Sequence, residues 1–241
     1  MYGKEVNVLD GILLIDKPVG LTSHDVVDYI RRRYMLKKVG HGGTLDPLAS
    51  GLLIIMLNRA TKLSQKIIAL DKEYIAEMTL GFSTTTGDLG GQVIEKAKDD
   101  GYLKLAKYQI EQVFQKFVGE IEQIPPMYSA VKYKGVRLYK LARKGIEVSR
   151  DPRRVKVYNL VIEDIDLPRV KFKIRCSRGL YIRQLCIDIG RELGYPAHLS
   201  QMVRTTIGKF SLDSAHKLDK ILNEPDSEKY IIPLDIARKL I

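Results

Sequence analysis

The sequence predicts an α+β domain built on a largely antiparallel sheet. Segments with strand periodicity and segments with helical periodicity follow one another irregularly, without the repeating βαβ rhythm of a parallel sheet. Neither an internal repeat nor a low-complexity tract interrupts them. The chain has 241 residues, of which 45% are apolar, so it is long enough for one large domain or two small ones. We expect a single domain over residues 1–241.

The first predicted helix begins at Ser23, because a serine in front of an apolar stripe is a preferred N-cap. Asp25 and Asp28 lie near its start and the arginines at 31–33 lie near its end, so these charges complement the helix dipole. The side chains expected to face the core are Val26, Val27 and Ile30.

A strand, a hairpin and a second helix are predicted in the middle of the chain. Residues 72–82 have strand character, and a glycine-rich connection at residues 84–93 leads to a short second strand. Helical spacing then returns and ends at Gly119; its apolar residues are Ile110, Val113, Phe114 and Phe117. Pro125 and Pro126 break regular structure and open a basic segment with the character of an insertion.

Two more strands and a helix are predicted after this segment. Residues 155–167 and 170–176 have strand patterns, and the second alternates between an apolar and a basic face. Its apolar face consists of Val170, Phe172, Ile174 and Cys176. A turn at residues 177–179 precedes a helical stripe that ends at Gly194 and consists of Ile182, Leu185, Cys186, Ile189 and Leu193.

Positive charge is concentrated in one segment. The chain has 40 Lys and Arg against 29 Asp and Glu, a net charge of +11. Residues 131–156 hold ten of the basic residues against Glu147 and Asp151 alone, a local +8. The tyrosines interleaved with them are Tyr128, Tyr133, Tyr139 and Tyr158. This mixture suits phosphates and unstacked bases, while a solvated basic face is the alternative. Basic surface alone does not distinguish RNA from DNA.

No membrane, export or metal signal is present in the sequence. The longest apolar runs, residues 11–15 and 52–57, are too short to cross a bilayer, and the N-terminal MYGKEVNVLDG lacks the apolar region of a signal peptide. We therefore expect a cytoplasmic protein. Cys176 and Cys186 have no companion His or Cys at zinc spacing, which predicts reduced, partly buried thiols and no metal site.

Asp46 is the strongest candidate for chemistry. It lies in GHGGTLDPLASG, residues 40–51, between glycines that allow a close backbone approach and Pro47, which fixes φ. The apolar run at residues 52–57 would anchor this corner so that the carboxylate faces a cleft. An Asp in front of a Pro is also typical of a helix start, where its side chain would accept the backbone N–H groups that follow Pro47. Spacing alone leaves both readings open.

Four sequence motifs resemble those of one enzyme family. They are GILLIDKPVGLTSHDVV at residues 11–27, GHGGTLDPLASG at 40–51, DKEY at 71–74 and CSRGLYIRQL at 176–185. In order and spacing they are similar to the motifs of the TruB family, the synthases that convert a T-loop uridine of tRNA to pseudouridine. The resemblance runs from about residue 11 to about residue 208.

The resemblance also implies a fold and a reaction. The family's fold is a central mixed, largely antiparallel sheet with flanking helices, a catalytic cleft for flipped bases and an inserted RNA-binding thumb, here at about residues 124–149. The reaction cuts the bond between uracil N1 and the ribose, turns the base and rejoins it through C5, without cofactor or metal. It requires a nucleophilic carboxylate and a group that removes the C5 proton.

Three residues match the family's catalytic positions. Asp46 matches the nucleophile, and attack at uracil C6 and at ribose C1′ both remain open for it. Tyr74 in DKEY matches the tyrosine that stacks on the target base and takes part in proton transfer. Arg183 in YIR matches the arginine that pairs with the nucleophile. Without the resemblance, Tyr74 would be an aromatic residue on a strand face and Arg183 a helix-surface arginine.

Further residues match positions that contact RNA. His41 corresponds to the histidine that enters the T loop, Tyr181 lines the base pocket, and Met202 stands where the family usually has leucine. A surface turn for His41 and a core position for Tyr181 are the alternatives. Leu180 replaces a common threonine. The thumb cations expected to bind RNA are Lys132, Lys134, Arg137 and Arg143.

The expected partner is the T stem-loop of tRNA, with the protein acting as a monomer and without an obligate protein partner. Many members of the family continue into a C-terminal PUA domain. We expect none here, either because the form is naturally short or because the sequence is truncated, and we therefore expect weaker binding of full tRNA. Two other readings remain. The first is a non-catalytic tRNA-binding or RNA-folding module, and the second is a basic structural protein of a ribonucleoprotein.

Overall fold

The computed structural model describes residues 9–241. Residues 1–8 lie outside this range. They make up most of the N-terminal segment in which we expect no signal peptide. The described chain divides into two compact units. The first unit contains the residues up to Lys72 together with Val203–Ile241, and the second contains Glu73–Met202. A single domain over residues 1–241 stays a prediction.

The secondary structure mixes short and long strands with helices. The strands are β1 (Gly11–Lys17), β2 (Val39–His41), β3 (Ser50–Leu57), β4 (Lys72–Leu80), β5 (Phe82–Thr84), β6 (Val93–Lys96), β7 (Gly119–Gln123), β8 (Lys132–Tyr133), β9 (Val136–Arg137), β10 (Arg153–Asp166), β11 (Arg169–Cys176), β12 (Ala197–Ile207), β13 (Phe210–Ser211), β14 (His216–Lys217) and β15 (Ile232–Pro233). The α-helices are α1 (Ser23–Arg33), α2 (Ser64–Ala69), α3 (Lys107–Gln115), α4 (Leu138–Ala142), α5 (Ile182–Glu192), α6 (Leu218–Asn223) and α7 (Leu234–Leu240).

Strands β1 and β3 form the middle of the first unit's sheet. They pair antiparallel from Gly11 opposite Leu57 to Lys17 opposite Gly51, so the two apolar runs of the sequence lie side by side. On the other edge of β1 lie parallel β14 and antiparallel β15, while β3 also pairs with β2 and with the end of β12. The core of this unit consists of Ile12, Leu14, Leu52, Ile54, Met56, Ala60, Leu63, Ile67, Ile207, Phe210, Leu234 and Ala237.

Helix α1 is the predicted first helix, but its cap is one residue earlier than predicted. Thr22 is the N-cap: its hydroxyl accepts from the Asp25 N–H at 3.0 Å, and its own N–H donates to the Asp25 carboxylate at 2.7 Å. The prediction of Ser23 as the cap is therefore wrong. The predicted buried stripe is confirmed, because Val26, Val27 and Ile30 are at most 2% exposed.

The second unit contains an antiparallel hairpin of two long strands, β10 and β11. Their register runs from Val157 opposite Cys176 to Asp166 opposite Arg169, and β7 pairs antiparallel with β10 on its other edge. The strand order in this unit is β12 up to Met202, β4, β11, β10 and β7. The predicted apolar face of residues 170–176 is confirmed as buried. Together with the flanking helices, this mixed sheet confirms the α+β class.

Helices α3 and α5 carry most of the predicted apolar stripes of the second unit, but Phe117 and Leu193 lie beyond the ends of these helices and are only half-buried. Phe114 of α3 meets Phe172 of β11 edge to face, with ring centroids 5.5 Å apart. Cys176 and Cys186 form no disulfide within residues 9–241, and both are fully rather than partly buried. Burial raises the pKa of the Cys186 thiol.

The predicted hairpin after residue 72 exists in a modified form. Gly81 ends β4, and the short strand β5 pairs antiparallel with β6. Residues 124–149 contain a second small hairpin, β8 and β9, followed by α4. Lys134 and Gly135 form the turn between β8 and β9. Their φ values, 47° and 85°, are the left-handed values of a two-residue hairpin loop.

Candidate active site

Asp46 lies on a short turn that leads directly into a core strand. Residues 47–48 form a turn, the Ala49 N–H donates to the Asp46 carbonyl oxygen at 3.1 Å, and β3 begins at Ser50. The residues after Pro47 are therefore not helical, and the reading of Asp46 as a helix cap is wrong. The side chain of Asp46 is half-buried.

The backbone on both sides of Asp46 is hydrogen-bonded to distant parts of the first unit. Ser23 donates its hydroxyl to the Leu45 carbonyl oxygen at 3.0 Å and accepts from the Leu45 N–H at 2.8 Å. The Gly20 N–H donates to the Pro47 carbonyl oxygen at 2.8 Å. Because the neighbours of Asp46 are held in this way, its carboxylate projects from a fixed point.

Residues 42–49, between β2 and β3, form the loop that carries Asp46. The side chain of Arg204 on β12 also holds this loop, a role that was not anticipated from the sequence. Its side chain is buried, at 1% exposure. Its Nε donates to the Leu52 carbonyl oxygen at 2.8 Å, Nη1 to Thr44 O at 3.3 Å and Nη2 to Gly43 O at 3.1 Å. The sequence around it, MVRTT at residues 202–206, does not alternate between apolar and polar residues and gives no signal for this role.

Lys17 is a second buried cation in this part of the first unit. It ends β1, has no exposed surface, and donates from Nζ to the carbonyl oxygens of Pro18 and Leu21, both at 2.8 Å. Burial lowers the pKa of Lys17 to about 8; the charge of Asp46 opposes this shift, and the charge of Arg204 adds to it. Lys17, which belongs to the motif at residues 11–27, is thus electrostatically coupled to the candidate nucleophile.

His41 ends β2, just before the glycines of the loop. Its side chain is half-buried, and its Nδ1 accepts from the Gly43 N–H at 3.4 Å. The alternative for His41, a surface turn, does not describe its position fully. The ring is half-buried and accepts a hydrogen bond from the loop that carries Asp46.

Arg183 lies in the first turn of α5, in the second unit, and is buried rather than on the helix surface, with 4% exposure. Its Nη1 donates to the Thr86 carbonyl oxygen at 2.6 Å and its Nη2 to Tyr128 O at 2.9 Å. Its Nε lies 3.8 Å from a carboxylate oxygen of Asp88. These contacts hold the guanidinium in one orientation.

Asp88 lies beside the candidate residue Arg183 and was not anticipated from the sequence. Its carboxylate accepts from the Thr86 hydroxyl at 2.5 Å and from the Gly90 N–H at 3.0 Å, and its side chain is 13% exposed. The segment TTTGDLGG reads as a glycine-rich connection, and an Asp in such a segment normally serves its own turn. Asp88 serves its turn and also lies beside Arg183.

Tyr181 is fixed through its backbone by Gln123, which was also not anticipated. The Tyr181 N–H donates to Gln123 Oε1 at 2.8 Å, and Gln123 Nε2 donates to the Tyr181 carbonyl oxygen at 3.2 Å. Gln123 is 2% exposed, and the oxygen and the nitrogen of its side-chain amide are both hydrogen-bonded inside the protein. Tyr181 itself is the N-cap residue of α5 and is half-buried.

The remaining predicted site residues also belong to the second unit. Tyr74 lies on the buried face of β4 with 9% exposure, and Met202 on β12 has 8%. The predicted thumb cations are all exposed; they are Lys132, Lys134, Arg137 and Arg143. Asp46 and His41 thus belong to the first unit, and the other predicted residues to the second.

Comparison with known proteins assigns the family. Residues 31–182 match the profile described as TruB family pseudouridylate synthase (N terminal domain). The chain belongs to the TruB family. Residues 183–237 match the profile described as tRNA pseudouridylate synthase B C-terminal domain. As a TruB family pseudouridylate synthase, the protein is an isomerase, and the resemblance seen in the sequence motifs is confirmed.

Bacterial members of the family are similar over most of their length. The protein named tRNA pseudouridine synthase B of Clostridium tetani is 44% identical over 229 residues, which is 95% of this chain and 78% of that protein. The protein of the same name from Geotalea uraniireducens is 47% identical over 211 residues, 88% of this chain and 67% of the relative.

Solved structures confirm the pseudouridine synthase fold. One chain of a Cbf5-Nop10-Gar1 complex superposes with a TM-score of 0.73 at 33% identity, covering 97% of this chain and 63% of that one. A chain from an H/ACA RNP bound to a substrate RNA containing 2'-deoxyuridine superposes with a TM-score of 0.71 at 30% identity, covering 97% of this chain and 62% of the other. This chain therefore spans less than two thirds of those solved chains.

The structure also bears on membranes and metals for residues 9–241. None of the helices in this range has the length and apolar character that a bilayer crossing requires. Within the same range, His, Cys, Asp and Glu side chains do not come together in threes in a way that would hold a metal ion.

Proposed function

We propose that this enzyme converts one uridine in the T loop of tRNA to pseudouridine, with Asp46 as the nucleophile. The observation that carries the proposal is the anchoring of the Asp46 turn, in which Ser23, Gly20 and Arg204 hold the backbone before and after the carboxylate. A nucleophile that must meet one carbon of a bound nucleotide needs this rigidity. An aspartate that only stabilised its own turn would not need this rigidity.

The remaining chemistry is divided among the other matched residues. In the proposed reaction, Asp46 adds to the nucleotide at uracil C6 or ribose C1′, the bond between N1 and the ribose breaks, and the uracil turns. C5 then joins the ribose, the bond to Asp46 breaks, and C5 loses a proton while N1 gains one, so the product is an isomer of the substrate. Tyr74 stacks on the base and takes part in the transfer of the C5 proton. Arg183 is the proposed counter-charge of Asp46, and a guanidinium already oriented by backbone carbonyls suits that role.

Binding of the RNA is assigned to the thumb and to three residues around the base. Flipping a base out of its stack costs a few kcal/mol, which contacts with the protein must offset. Exposed thumb cations would supply phosphate contacts. His41 would take the space vacated in the T loop, while Tyr181 and Met202 line the pocket for the uracil. Met202 gives that pocket a softer wall than leucine.

Replacing Asp46 by Asn tests the nucleophile. The change keeps the shape and removes the charge, so release of tritium from tRNA labelled at uridine C5 should disappear while the dissociation constant for tRNA stays within about threefold, since binding is dominated by phosphates. Asp213→Asn, at an exposed position of the same unit, is the control and should retain activity. Undiminished release from Asp46→Asn would refute the role, and tRNA binding without release by the unmodified protein would favour a binding module.

Mapping the modified nucleotide tests the substrate. We expect pseudouridine at a single T-loop uridine in a T stem-loop RNA and in full tRNA, without added metal or nucleotide. Modification at several unrelated uridines, or of full tRNA alone, would contradict T-loop recognition. The protein is further proposed to act as a monomer in the cytoplasm; light scattering at working concentration would reveal a dimer.

A further inference from the structure

One buried side chain that holds the backbone around Asp46 contacts neither the substrate nor the reacting atoms of the proposed reaction. Arg204 is 1% exposed, so it does not reach a bound RNA. Its guanidinium contacts carbonyl oxygens on both sides of Asp46 along the chain. Gly43 and Thr44 lie before Asp46, and Leu52 lies after it in β3. One planar group therefore connects the entry and the exit of the loop that carries the carboxylate.

The main chain of Arg204 packs against the same loop. Arg204 pairs in parallel with Gly51, and a Cβ at Gly51 would lie 2.4 Å from the Arg204 carbonyl oxygen and 2.8 Å from its nitrogen. Gly51 also has φ of +98°, which a residue with a side chain rarely adopts. Gly51, just after the end of the loop, thus packs directly against the backbone of Arg204. The guanidinium of the same arginine binds Gly43 and Thr44 at the start of the loop.

The chemistry of the guanidinium suits this task. Its donors form a rigid planar fork, so three bonds to carbonyls fix the positions of those carbonyls relative to one another. A lysine at the same place carries the same charge but holds fewer acceptors and through a flexible stem. Charge and geometry can therefore be separated by one substitution, Arg204→Lys.

We propose that Arg204 is a positioning residue that sets the direction of the Asp46 carboxylate. The inference rests on the proposed function of Asp46. Loss of the guanidinium leaves the RNA-binding surface intact, so the effect falls on the chemical step and not on affinity. A displacement of about 1 Å at a reacting group costs on the order of 100-fold in rate.

The first unit offers a matched control in Arg33. Its Nη2 donates to the carbonyl oxygens of Glu224 at 2.8 Å and Pro225 at 3.2 Å, so it too connects distant backbone through a guanidinium. These carbonyls are remote in sequence from the Asp46 loop. Arg33→Lys therefore reports what losing such bonds does to stability alone.

The experiment compares Arg204→Lys and Arg33→Lys in the full chain. For each, the single-turnover rate at saturating tRNA, the Kd for tRNA and the melting temperature are measured. We expect Arg204→Lys to lose about 100-fold in rate with Kd within about threefold, and Arg33→Lys to keep its rate despite a similar loss of stability. A rate for Arg204→Lys within a few-fold of the unmodified protein overturns the inference, as does an equal loss of rate in both variants.

A second variant decides the case in which Arg204→Lys does not fold. In Arg204→Ala, millimolar guanidinium can occupy the vacated space; recovery of rate with guanidinium, but not with sodium at equal ionic strength, supports the inference, and no recovery overturns it. Failure of the proposed function gives a different result. The unmodified protein would then form no pseudouridine, or Asp46→Asn would remain active.

Discussion

Ser23 and Leu45 exchange two hydrogen bonds, the serine hydroxyl both donating to the leucine carbonyl oxygen and accepting from its N–H. The pair joins the first residue of α1 to the residue before Asp46. Ser23 is 2% exposed, so water does not replace either bond. A residue that sequence logic assigns to capping its own helix instead holds the candidate nucleophile.

We expect Ser23→Ala to reduce both stability and turnover. Removing a buried hydroxyl leaves two backbone groups of Leu45 unpaired, at a cost of about 1–3 kcal/mol. Thr22→Ala is the matched control, because it removes the true cap of the same helix at about 1 kcal/mol and should leave turnover unchanged. Denaturant unfolding and single-turnover kinetics measure both quantities. Equal turnover in the two variants would contradict a role for Ser23 in holding the loop.

Asp88→Asn is expected to reduce turnover without unfolding the protein. The substitution keeps an acceptor for the Thr86 hydroxyl and the Gly90 N–H, but it removes the charge beside Arg183. Since the guanidinium remains bonded to Thr86 O and Tyr128 O, the change acts mainly through electrostatics. Single-turnover rates should fall by at least about tenfold, the effect of about 1.4 kcal/mol.

The control for this prediction is Asp99→Asn. Asp99 accepts the N–H of Gly101 at 2.8 Å, just as Asp88 accepts that of Gly90, so both variants disturb a similar turn. Asp99 is exposed, and we expect its variant to react at the normal rate. Similar rates for the two variants would show that Asp88 serves its turn alone.

Lys17 should make stability depend on pH in the alkaline range. The folded lysine releases its proton at a pKa of about 8, whereas the ordinary value is 10.5, so between these values the unfolded chain binds more protons. Stability from this group therefore rises with pH across that window. The difference in unfolding free energy between the unmodified protein and Lys17→Met should grow by on the order of 3 kcal/mol from pH 8 to pH 10.5. A difference that is flat with pH would contradict the perturbed lysine.

The thumb cations are expected to govern the salt dependence of tRNA binding. Replacing four of them by Gln should reduce the slope of log affinity against log salt by about 3, if each contacts a phosphate. The four are Lys132, Lys134, Arg137 and Arg143. A control with the same change of charge replaces Lys98, Lys104, Lys107 and Lys116, which are exposed elsewhere in the second unit. Similar slopes for the two variants would place the phosphate contacts elsewhere.

Much of the fold follows from local pattern. Two apolar runs became the paired strands β1 and β3, and the alternating pattern of residues 170–176 became β11. Strand β7 was missed because Gly119 also suits the end of a helix. The helix that was one of the two alternatives for the residues after Pro47 is absent, because pairing with β1, β2 and β12 holds residues 50–57 as β3. A propensity at one residue is weaker than a ladder of hydrogen bonds.

The sequence by itself determined the family, the α+β class and the residues proposed for the chemistry, because these depend on motif order and on side-chain type. Tertiary structure alone decided what holds those residues: Arg204 on the loop of Asp46, and Asp88 beside Arg183. The physical reason is the nature of the acceptors. Arg204 and Arg183 donate to main-chain carbonyls, which every residue possesses, so these partners leave no mark in the sequence. Asp88 lies 95 residues before Arg183, so only folding brings these two side chains together.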